Sequence, residues 1–172
     1  ERHHPTGQSA MHKTNVFFQG TLWPERKSLF SALDDLDCDV RIGGIDPSDA
    51  QDQSVTQVMR GTIDNAEMAM WYSNTSIALN HHRRFCSVDD SGEVYLDNGE
   101  AESIGPRAYE IAACGAFQLC DDTRPELVEL FGDSVATYSD ADSLREGVVH
   151  FLAHADEREG MAQESRERGQ GC

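Results

Sequence analysis

The stretch Glu102-Ser-Ile-Gly-Pro-Arg-Ala-Tyr-Glu-Ile-Ala-Ala-Cys-Gly-Ala-Phe-Gln-Leu-Cys-Asp121 reads as a loop, a short helix, a glycine stop and a buried strand. Pro106 suits the first turn of a helix, because the N–H that it lacks would have no helical partner there. Gly115 is typical of the residue that follows a helix. A helix leading directly into an apolar strand is the repeating unit of α/β domains.

The start of this predicted helix is also a candidate phosphate site. The first N–H groups of a helix are free and its dipole is positive at that end, so anions bind there readily. Gly105 would let the backbone approach a ligand closely, and Arg107 adds a forked cation that suits phosphate oxygens. Glu110, one turn further along, is placed to accept hydrogen bonds from sugar hydroxyls.

Strands and helices alternate along the rest of the chain. The patterns predict strands at 16–20, 39–42, 55–60, 77–80 and 135–138, and helices at 24–37, 63–72, 125–131, 143–153 and 156–168. Asp64 or Thr62 would cap the second of these helices, and Asp140 or Asp142 the fourth. A small hairpin or loop is predicted at 87–99. We therefore expect a Rossmann-like α/β domain, with a parallel sheet of about six strands covered by helices on both faces.

Three ordered motifs carry a family resemblance. Pro106-Arg-x-x-Glu-x-x-Ala-Cys-Gly115 resembles the carboxyl-terminal domain of the CgeB-like, spore-maturation type glycosyltransferases, whose architecture is GT-B. Phe17-Phe-Gln-Gly-Thr-Leu-Trp-Pro-Glu-Arg26 and Ile77-Ala-Leu-Asn80 agree with that family in the expected order. The resemblance extends over roughly residues 15 to 168, and it implies one half of a GT-B fold that binds a nucleotide-sugar donor.

The resemblance also implies roles for individual residues. Glu110 would hold the ribose hydroxyls, while the Gly20-Thr21 turn and Arg26 would approach the diphosphate, together with Arg107. Glu102 and Glu110 match the E-x7-E spacing of many retaining GT-B enzymes, in which the first glutamate lies near the transferred sugar. Glu102 is therefore the candidate catalytic residue, although an ordinary solvated glutamate explains it equally well. Retention is favoured over inversion by the resemblance alone.

Asn80 ends a predicted strand, at the edge of the sheet where open α/β folds bind ligands. The positive residues 81–84 follow it and form either a solvated loop or part of a diphosphate site. Neighbouring histidines in a strand point to opposite faces, which disfavours zinc at His81 and His82.

No metal site and no cofactor besides the donor substrate are expected. The adjacent pairs Asp89-Asp90 and Asp121-Asp122 are more typical of solvated residues than of ligands. His150 and His154 lie one helical turn apart without evident further ligands, so we interpret them as surface residues.

The composition narrows the possible partners. The formal net charge is −17, with 31 Asp and Glu against 14 Lys and Arg, and this acidity argues against nucleic acids and anionic membranes. Only Lys13 and Lys27 are lysines. Either adaptation to high salt or a GC-rich genome explains that scarcity. The five cysteines form no C-x-x-C pair and fit a reducing, cytoplasmic compartment, with Cys114 and Cys120 as small core residues.

We predict that residues 1–14 form a linker, 15–169 the nucleotide-sugar-binding domain and 170–172 a tail. The chain begins without methionine and has the length of one domain, so we expect it to be part of a two-domain enzyme whose amino-terminal Rossmann-like domain is missing. The acceptor, whether glycan, protein or small molecule, is undefined. No apolar run is long enough to span a membrane.

Two other functions compete with the transferase. One is a non-catalytic module that binds nucleotides or nucleotide sugars, and another α/β domain encoded upstream in the parent reading frame would favour the transferase over it. A dinucleotide-binding Rossmann protein is disfavoured because no G-x-G-x-x-G follows the first strand.

Overall fold

The computed structural model describes residues 3–44, 58–60, 63–82, 86–88, 94–96 and 104–170. The strands are β1 (Thr14–Gln19), β2 (Val40–Gly44), β3 (Val58–Arg60), β4 (Thr75–Asn80), β5 (Cys86–Val88), β6 (Val94–Leu96), β7 (Gln118–Asp121) and β8 (Ala136–Tyr138). The helices are α1 (Pro24–Phe30), α2 (Asn65–Asn74), α3 (Gly105–Ala113), α4 (Pro125–Phe131), α5 (Ala141–Ala153) and α6 (Ala155–Gln170).

Six parallel strands form the main sheet in the order β3-β2-β1-β4-β7-β8. The predicted Rossmann-like parallel sheet is therefore confirmed, and β3 lies at its edge. The strands β5 and β6 pair antiparallel as a separate hairpin, as expected for the segment around residues 87–99.

Alternating side chains of β1 cover the two faces of the sheet. Val16 and Phe18 belong to the core under α1 and α5, whereas Phe17 belongs to the core under α2 and α3. All three are fully buried. Because successive side chains of a strand point to opposite faces, this apolar run requires helices on both sides.

The end of α3 follows from its glycine. Gly115 has a φ of +70°, a conformation that side chains disfavour. Its N–H donates to the Ala112 carbonyl at 2.9 Å, and the Ala116 N–H donates to the Ile111 carbonyl at 3.2 Å, which is the Schellman pattern. The chain can then turn directly into β7.

The two predicted core cysteines are confirmed. Cys114 and Cys120 are free and buried. Burial raises the pKa of the Cys114 thiol to about 11, so this thiol is neutral and inert at ordinary pH.

The first helix is shorter than predicted. The structure has α1 at Pro24–Phe30 and a single 3₁₀ turn at Ser31–Leu33, instead of a helix over 24–37. Asp34, Asp35 and Asp37 follow that turn, and carboxylates are unfavourable at the negative end of a helix dipole.

Two of the four candidate helix caps act as predicted. Asp64 accepts a hydrogen bond from the Ala66 N–H at 2.8 Å, and Asp140 forms a capping box with Ser143. Asp142 lies inside the first turn of α5 and is not its cap. Thr62 lies outside the described residues, as do 45–57, 89–93 and 97–103.

The segment before β1 packs on the carboxyl end of α2. The Thr6 N–H donates to Ser73 Oγ at 3.0 Å, and the Ser9 N–H donates to Asn74 Oδ1 at 2.7 Å. His12 is buried edge-on against Trp71. Within the described ranges, no helix has both the length and the apolarity needed to cross a membrane.

Two adjacent valines of α5 provide a test of this packing. Val148 is fully buried in the core, whereas Val149 is 52% exposed. Val148→Ala should lower the free energy of unfolding by about 2 kcal/mol, since two methyl groups leave the core and a cavity remains. Val149→Ala should change it by less than about 0.5 kcal/mol. Urea unfolding of both variants measures the difference, and equal losses would contradict the assigned helix face.

Candidate functional site

The strand order places a topological switch point between β1 and β4. The chain proceeds from β1 to β2 and β3 on one side, and then crosses to β4 and β7 on the other. All neighbouring strands in this sheet are parallel, so their carboxyl ends meet at one edge. Gly20 follows β1 and Asn80 ends β4, and ligands of open α/β sheets bind at this position.

Two arginines lie close to the same aromatic ring, beside the Gly20 turn. The Arg26 and Arg107 guanidinium carbons lie 5.4 and 5.3 Å from the centroid of the Phe18 ring. A side chain at Gly20 would meet Phe18 Cζ at 2.9 Å and Arg107 Nη2 at 3.3 Å, so the turn has no room for one. The structure thus brings Gly20, Arg26 and Arg107 together, although the two arginines are 81 positions apart in the sequence.

Arg26 is largely committed to the protein itself. Arg26 is 4% exposed, and its guanidinium donates to the Thr21 carbonyl at 2.8 Å and to the His81 carbonyl at 2.9 Å. Burial and the positive charge of Arg107 lower the pKa of Arg26 to about 10. Arg107 is only half-buried, and of the two arginines it is the better placed to meet a ligand.

The start of α3 has the predicted form. Gly105 has a φ of +65°, and Pro106 lies in the first turn. The residue at the N-cap, Ile104, has no side chain that can bond the first N–H groups. Such a helix start can donate its backbone N–H groups to an anion.

Glu110 lies one turn beyond Arg107 and is half-buried. Burial raises the pKa of the Tyr72 hydroxyl to about 12, the Arg107 charge opposes this, and the Glu110 charge adds to it. Arg107 and Glu110 are therefore both within electrostatic range of one buried tyrosine. The contact of Glu110 with a ribose stays a prediction.

Asp121 and the two histidines after β4 are buried. The prediction that Asp121 is solvated is wrong, and so is the solvated-loop alternative for His81 and His82, whereas the diphosphate-site alternative stays a prediction. Asp121 is 4% exposed, and His81 and His82 are each 6% exposed. The Asp121 carboxylate accepts hydrogen bonds from the His82 N–H and from His82 Nδ1, the latter at 2.9 Å. Partner groups compensate for the lost water, so a carboxylate can be buried here. Asp122 is exposed, as predicted.

His81 contacts Tyr138 of β8, the strand beyond β7, and also lies near Asp121 of β7. Its Nδ1 lies 3.0 Å from the Tyr138 hydroxyl and 3.7 Å from Asp121 Oδ2. A cavity of about 120 Å³ opens beside this group and is lined by His81, Asp121, Tyr138 and Glu25, among others. The carboxyl ends of β4, β7 and β8 thus surround a small cavity, and the Arg26 guanidinium donates to the carbonyl of His81, one of its lining residues.

Buried nitrogen atoms without a protein partner gather at this edge. Among the residues that the structure describes, Arg26 Nε, Asn80 Nδ2, His82 Nε2 and Arg124 Nε and Nη2 have no hydrogen-bond partner. Buried polar atoms are normally paired, so unpaired ones need an explanation. Asn80 ends β4, His82 follows that strand and Arg124 follows β7, while Arg26 reaches this edge from α1. Oxygen-rich ligands would satisfy these nitrogens.

A larger groove lies at the opposite edge of the sheet. Its volume is about 1080 Å³, and its lining includes Thr75 at the start of β4, Gly115 and the amino-terminal segment. In open α/β sheets ligands bind at the carboxyl ends of the strands, so the arginines at the other edge mark the better candidate despite the smaller cavity.

Some predicted residues cannot be placed. Glu102, Arg83, Arg84 and the pair Asp89-Asp90 lie outside the described residues. His150 and His154 are exposed as predicted, but the expectation that they lack a third ligand is wrong. Glu157 offers a carboxylate beside both, because the bend between α5 and α6 brings the two helix ends together.

Two residues of this site, Phe18 and Asp121, were not predicted from the sequence. Phe18 reads as a core residue, which it is, and nothing in its strand signals that its ring also supports two arginines. Asp121 follows an apolar strand directly, and that position was the available signal for a carboxylate at the ligand-binding edge.

Comparison with known proteins agrees with this geometry. The family model described as glycosyl transferase-like matches residues 26–171. Spore protein CgeB of Bacillus subtilis is 23% identical over 161 residues, which are 91% of this chain and 49% of that protein. The chain therefore spans about half the length of this curated relative.

Solved structures share the fold. Sucrose-phosphate synthase of Thermosynechococcus elongatus matches with a TM-score of 0.71 at 15% identity, over 99% of this chain and 45% of that one. The carboxyl-terminal domain of a group 1 glycosyl transferase (LpcC) of Francisella tularensis matches with 0.64 at 13% identity, over 98% and 94%. The T4 phage BGT mutant in complex with UDP-glucose matches with 0.64 at 13% identity, over 98% and 45%.

The buried Asp121 carboxylate should make the free energy of unfolding depend on pH. Burial alone would raise its pKa, but the hydrogen bond and charge of His82 hold the pKa of Asp121 well below its usual range. The stabilisation is therefore present above the ordinary pKa of about 3.9 and is lost as the pH falls below it. Asp121→Asn should cost about 1.5–3 kcal/mol near pH 7, and this gap to the native chain should narrow between about pH 5 and pH 3.

Urea unfolding at each pH measures the gap. Asp122→Asn is the matched control, because the neighbouring carboxylate is exposed and should show little difference at any pH. A gap for Asp121→Asn that stays constant down to pH 3 would refute the assignment of a buried, ionised Asp121.

Proposed function

We propose, because this chain belongs to the glycosyl transferase-like family, that it is the donor-binding, carboxyl-terminal half of a GT-B glycosyltransferase. Such an enzyme transfers a sugar from a nucleoside diphosphate sugar to an acceptor. The observation that carries the proposal is the pair Arg26 and Arg107, whose guanidinium carbons lie 5.4 and 5.3 Å from the centroid of the same Phe18 ring at the switch point. Two cations in one place favour an anionic ligand, since a diphosphate offsets their mutual repulsion.

The proposed chemistry is electrostatic. A departing nucleoside diphosphate develops negative charge, and fixed cations and N–H dipoles stabilise that charge. Arg107, the Gly20-Thr21 turn and the start of α3 at Gly105 would hold the phosphates, with Arg26 fixing the turn behind them. In this scheme the cations act without a metal ion or another cofactor.

Other residues are assigned to the rest of the donor. Glu110 would accept hydrogen bonds from the ribose hydroxyls, in keeping with the family resemblance. Asn80 and His82 carry buried, unpaired nitrogens at the end of β4 and would bind donor oxygens there. Glu102 is proposed near the transferred sugar on the basis of the E-x7-E spacing, and its partners are unknown.

We further propose that the whole enzyme is of the CgeB-like type. The support is the match to spore protein CgeB together with the ordered motifs of the sequence. In a two-domain GT-B enzyme the acceptor contacts come largely from the amino-terminal domain. The acceptor of this enzyme would then be selected outside the present chain.

The phosphate site predicts the effect of removing Arg107. Arg107→Ala should weaken the binding of a nucleoside diphosphate by about 1–3 kcal/mol, roughly five- to hundredfold in Kd, because it removes a charged hydrogen-bond partner. Glu110→Ala should cost a similar amount, and Glu102→Ala should cost little. Arg107→Lys should fall between, because lysine keeps the charge but cannot form the forked contact.

Calorimetric titration with UDP, GDP, ADP and CMP would measure these affinities. Arg41→Ala is the matched control, since Arg41 lies in the amino-terminal part of β2 and pairs with Asp39. An equal loss in that variant would indicate general charge attraction, and unchanged affinity in both Arg107→Ala and Glu110→Ala would exclude this site.

The transferase proposal makes a separate prediction. Catalysis requires that donor and acceptor be held in register, which can contribute effective molarities of roughly 10⁵ M or more. We therefore expect the 172-residue chain to bind a donor but to transfer little sugar to any acceptor. Restoring the upstream domain of the parent protein should restore transfer, measured as acceptor-dependent release of nucleoside diphosphate. A two-domain protein that binds the donor and never transfers would favour a non-catalytic module.

A further inference from the structure

We propose that His150, His154 and Glu157 form a site for a divalent transition metal, with zinc as the best match, at the junction of α5 and α6. Each of the three residues offers one ligand atom, and these atoms all lie within 4.8 Å of one another. The site is remote in sequence from the arginines at the switch point. It does not depend on the proposed transferase function.

The backbone at the junction explains why the three side chains meet. α5 ends at Ala153, and His154 follows with φ −116° and ψ 72°, outside helical geometry. The His154 carbonyl nevertheless accepts the Arg158 N–H at 3.2 Å and so starts α6. One residue thus ends one helix and begins the next, and the last turn of α5 faces the first turn of α6.

The side-chain geometry suits a metal with nitrogen and oxygen ligands. His150 Nε2 lies 2.9 Å from Glu157 Oε2, and the His150 and His154 rings stack with centroids 4.2 Å apart. Ligands of tetrahedral zinc at about 2.0–2.2 Å from the ion are about 3.4 Å apart from each other. All three side chains are exposed, so small rotations can adjust the observed spacing.

One further contact favours metal binding over a simple ion pair. His154 Nδ1 lies 2.6 Å from the His150 carbonyl oxygen, to which an Nδ1–H would donate. That hydrogen bond leaves the lone pair on Nε2, the arrangement found for most histidines that bind metals. An exposed ion pair between His150 and Glu157 needs no such orientation of a second imidazole, and it would contribute little stability.

Two imidazoles and one carboxylate match the three protein ligands of many zinc sites, with water in the fourth position. A bound ion would fix the angle between α5 and α6. α6 packs behind α3, where an added Cβ at Gly169 would lie 3.5 Å from Ala112 Cβ, and Ser165 Oγ lies 3.3 Å from Gln118 Nε2. The expected role is therefore structural: a bound ion would fix the position of α6, which packs against α3, relative to α5.

The test uses the full chain after treatment with a chelator. Zn²⁺ titrated by calorimetry should bind at one saturable site and raise the melting temperature, since a ligand of the native state stabilises it. His150→Ala and His154→Ala should each weaken the binding at least about tenfold, and Glu157→Gln should weaken it by a smaller factor. Circular dichroism would confirm that these exposed substitutions leave the fold intact.

Two controls separate this site from other zinc ligands of the chain. The double variant His3→Ala/His4→Ala should keep the affinity, because those histidines lie in the amino-terminal segment. Co²⁺ in place of Zn²⁺ distinguishes nitrogen and oxygen ligands from cysteine, since thiolates add an intense charge-transfer band. The proposal is overturned if no saturable binding occurs, if the His150 and His154 variants bind as the native chain does, or if the Co²⁺ spectrum reports thiolate.

Discussion

The guanidinium of Arg26 connects the segments that follow β1 and β4, and the site depends on both of these segments. It donates to the Thr21 carbonyl in the turn after β1 and to the His81 carbonyl after β4, across the switch point of the sheet. Two loops from distant parts of the sequence are thereby held together, and the Arg26 cation lies 5.4 Å from the centroid of the Phe18 ring. Without that bridge the carbonyls of both turns would lose buried hydrogen bonds, each of which is costly to leave unmade.

The positive charges of Arg26 and Arg107 repel each other, and an anionic ligand would offset that repulsion. Arg107 lies against Phe18 as well, and its charge contributes to the lowered pKa of Arg26. Asp121 accepts hydrogen bonds from His82 and lies 3.7 Å from His81 Nδ1, and its charge also acts on Arg26. The carboxylate thus has its own hydrogen-bond partners, while Arg107, the less buried of the two arginines, is the cation placed to meet an external anion. The separation of these roles is a property of the strand order, because it follows from which loops are neighbours at the edge.

Much of the fold could be predicted from the sequence, because the signals are local. The run Val16-Phe17-Phe18 requires two covered faces, and Gly115 marks the end of α3 by its conformation. The pairing of Asp121 with His82 could not be predicted, since 39 residues separate them and only the order of β4 and β7 makes them neighbours. Likewise, the position of Glu157 beside His150 depends on a non-helical residue at His154, which no periodicity reveals.

The charge of the whole chain affects how the site can work. The protein carries a net charge of −17, so at long range it repels the anionic donor that its arginines would bind. At physiological ionic strength such repulsion is screened beyond about 8 Å, whereas contacts within a buried site are screened much less. Recognition of the proposed donor would therefore depend on short-range contacts near Phe18 and Gly20 and would gain nothing from long-range electrostatic steering. High salt removes the repulsion and spares those contacts, which makes the acidic surface compatible with anion binding.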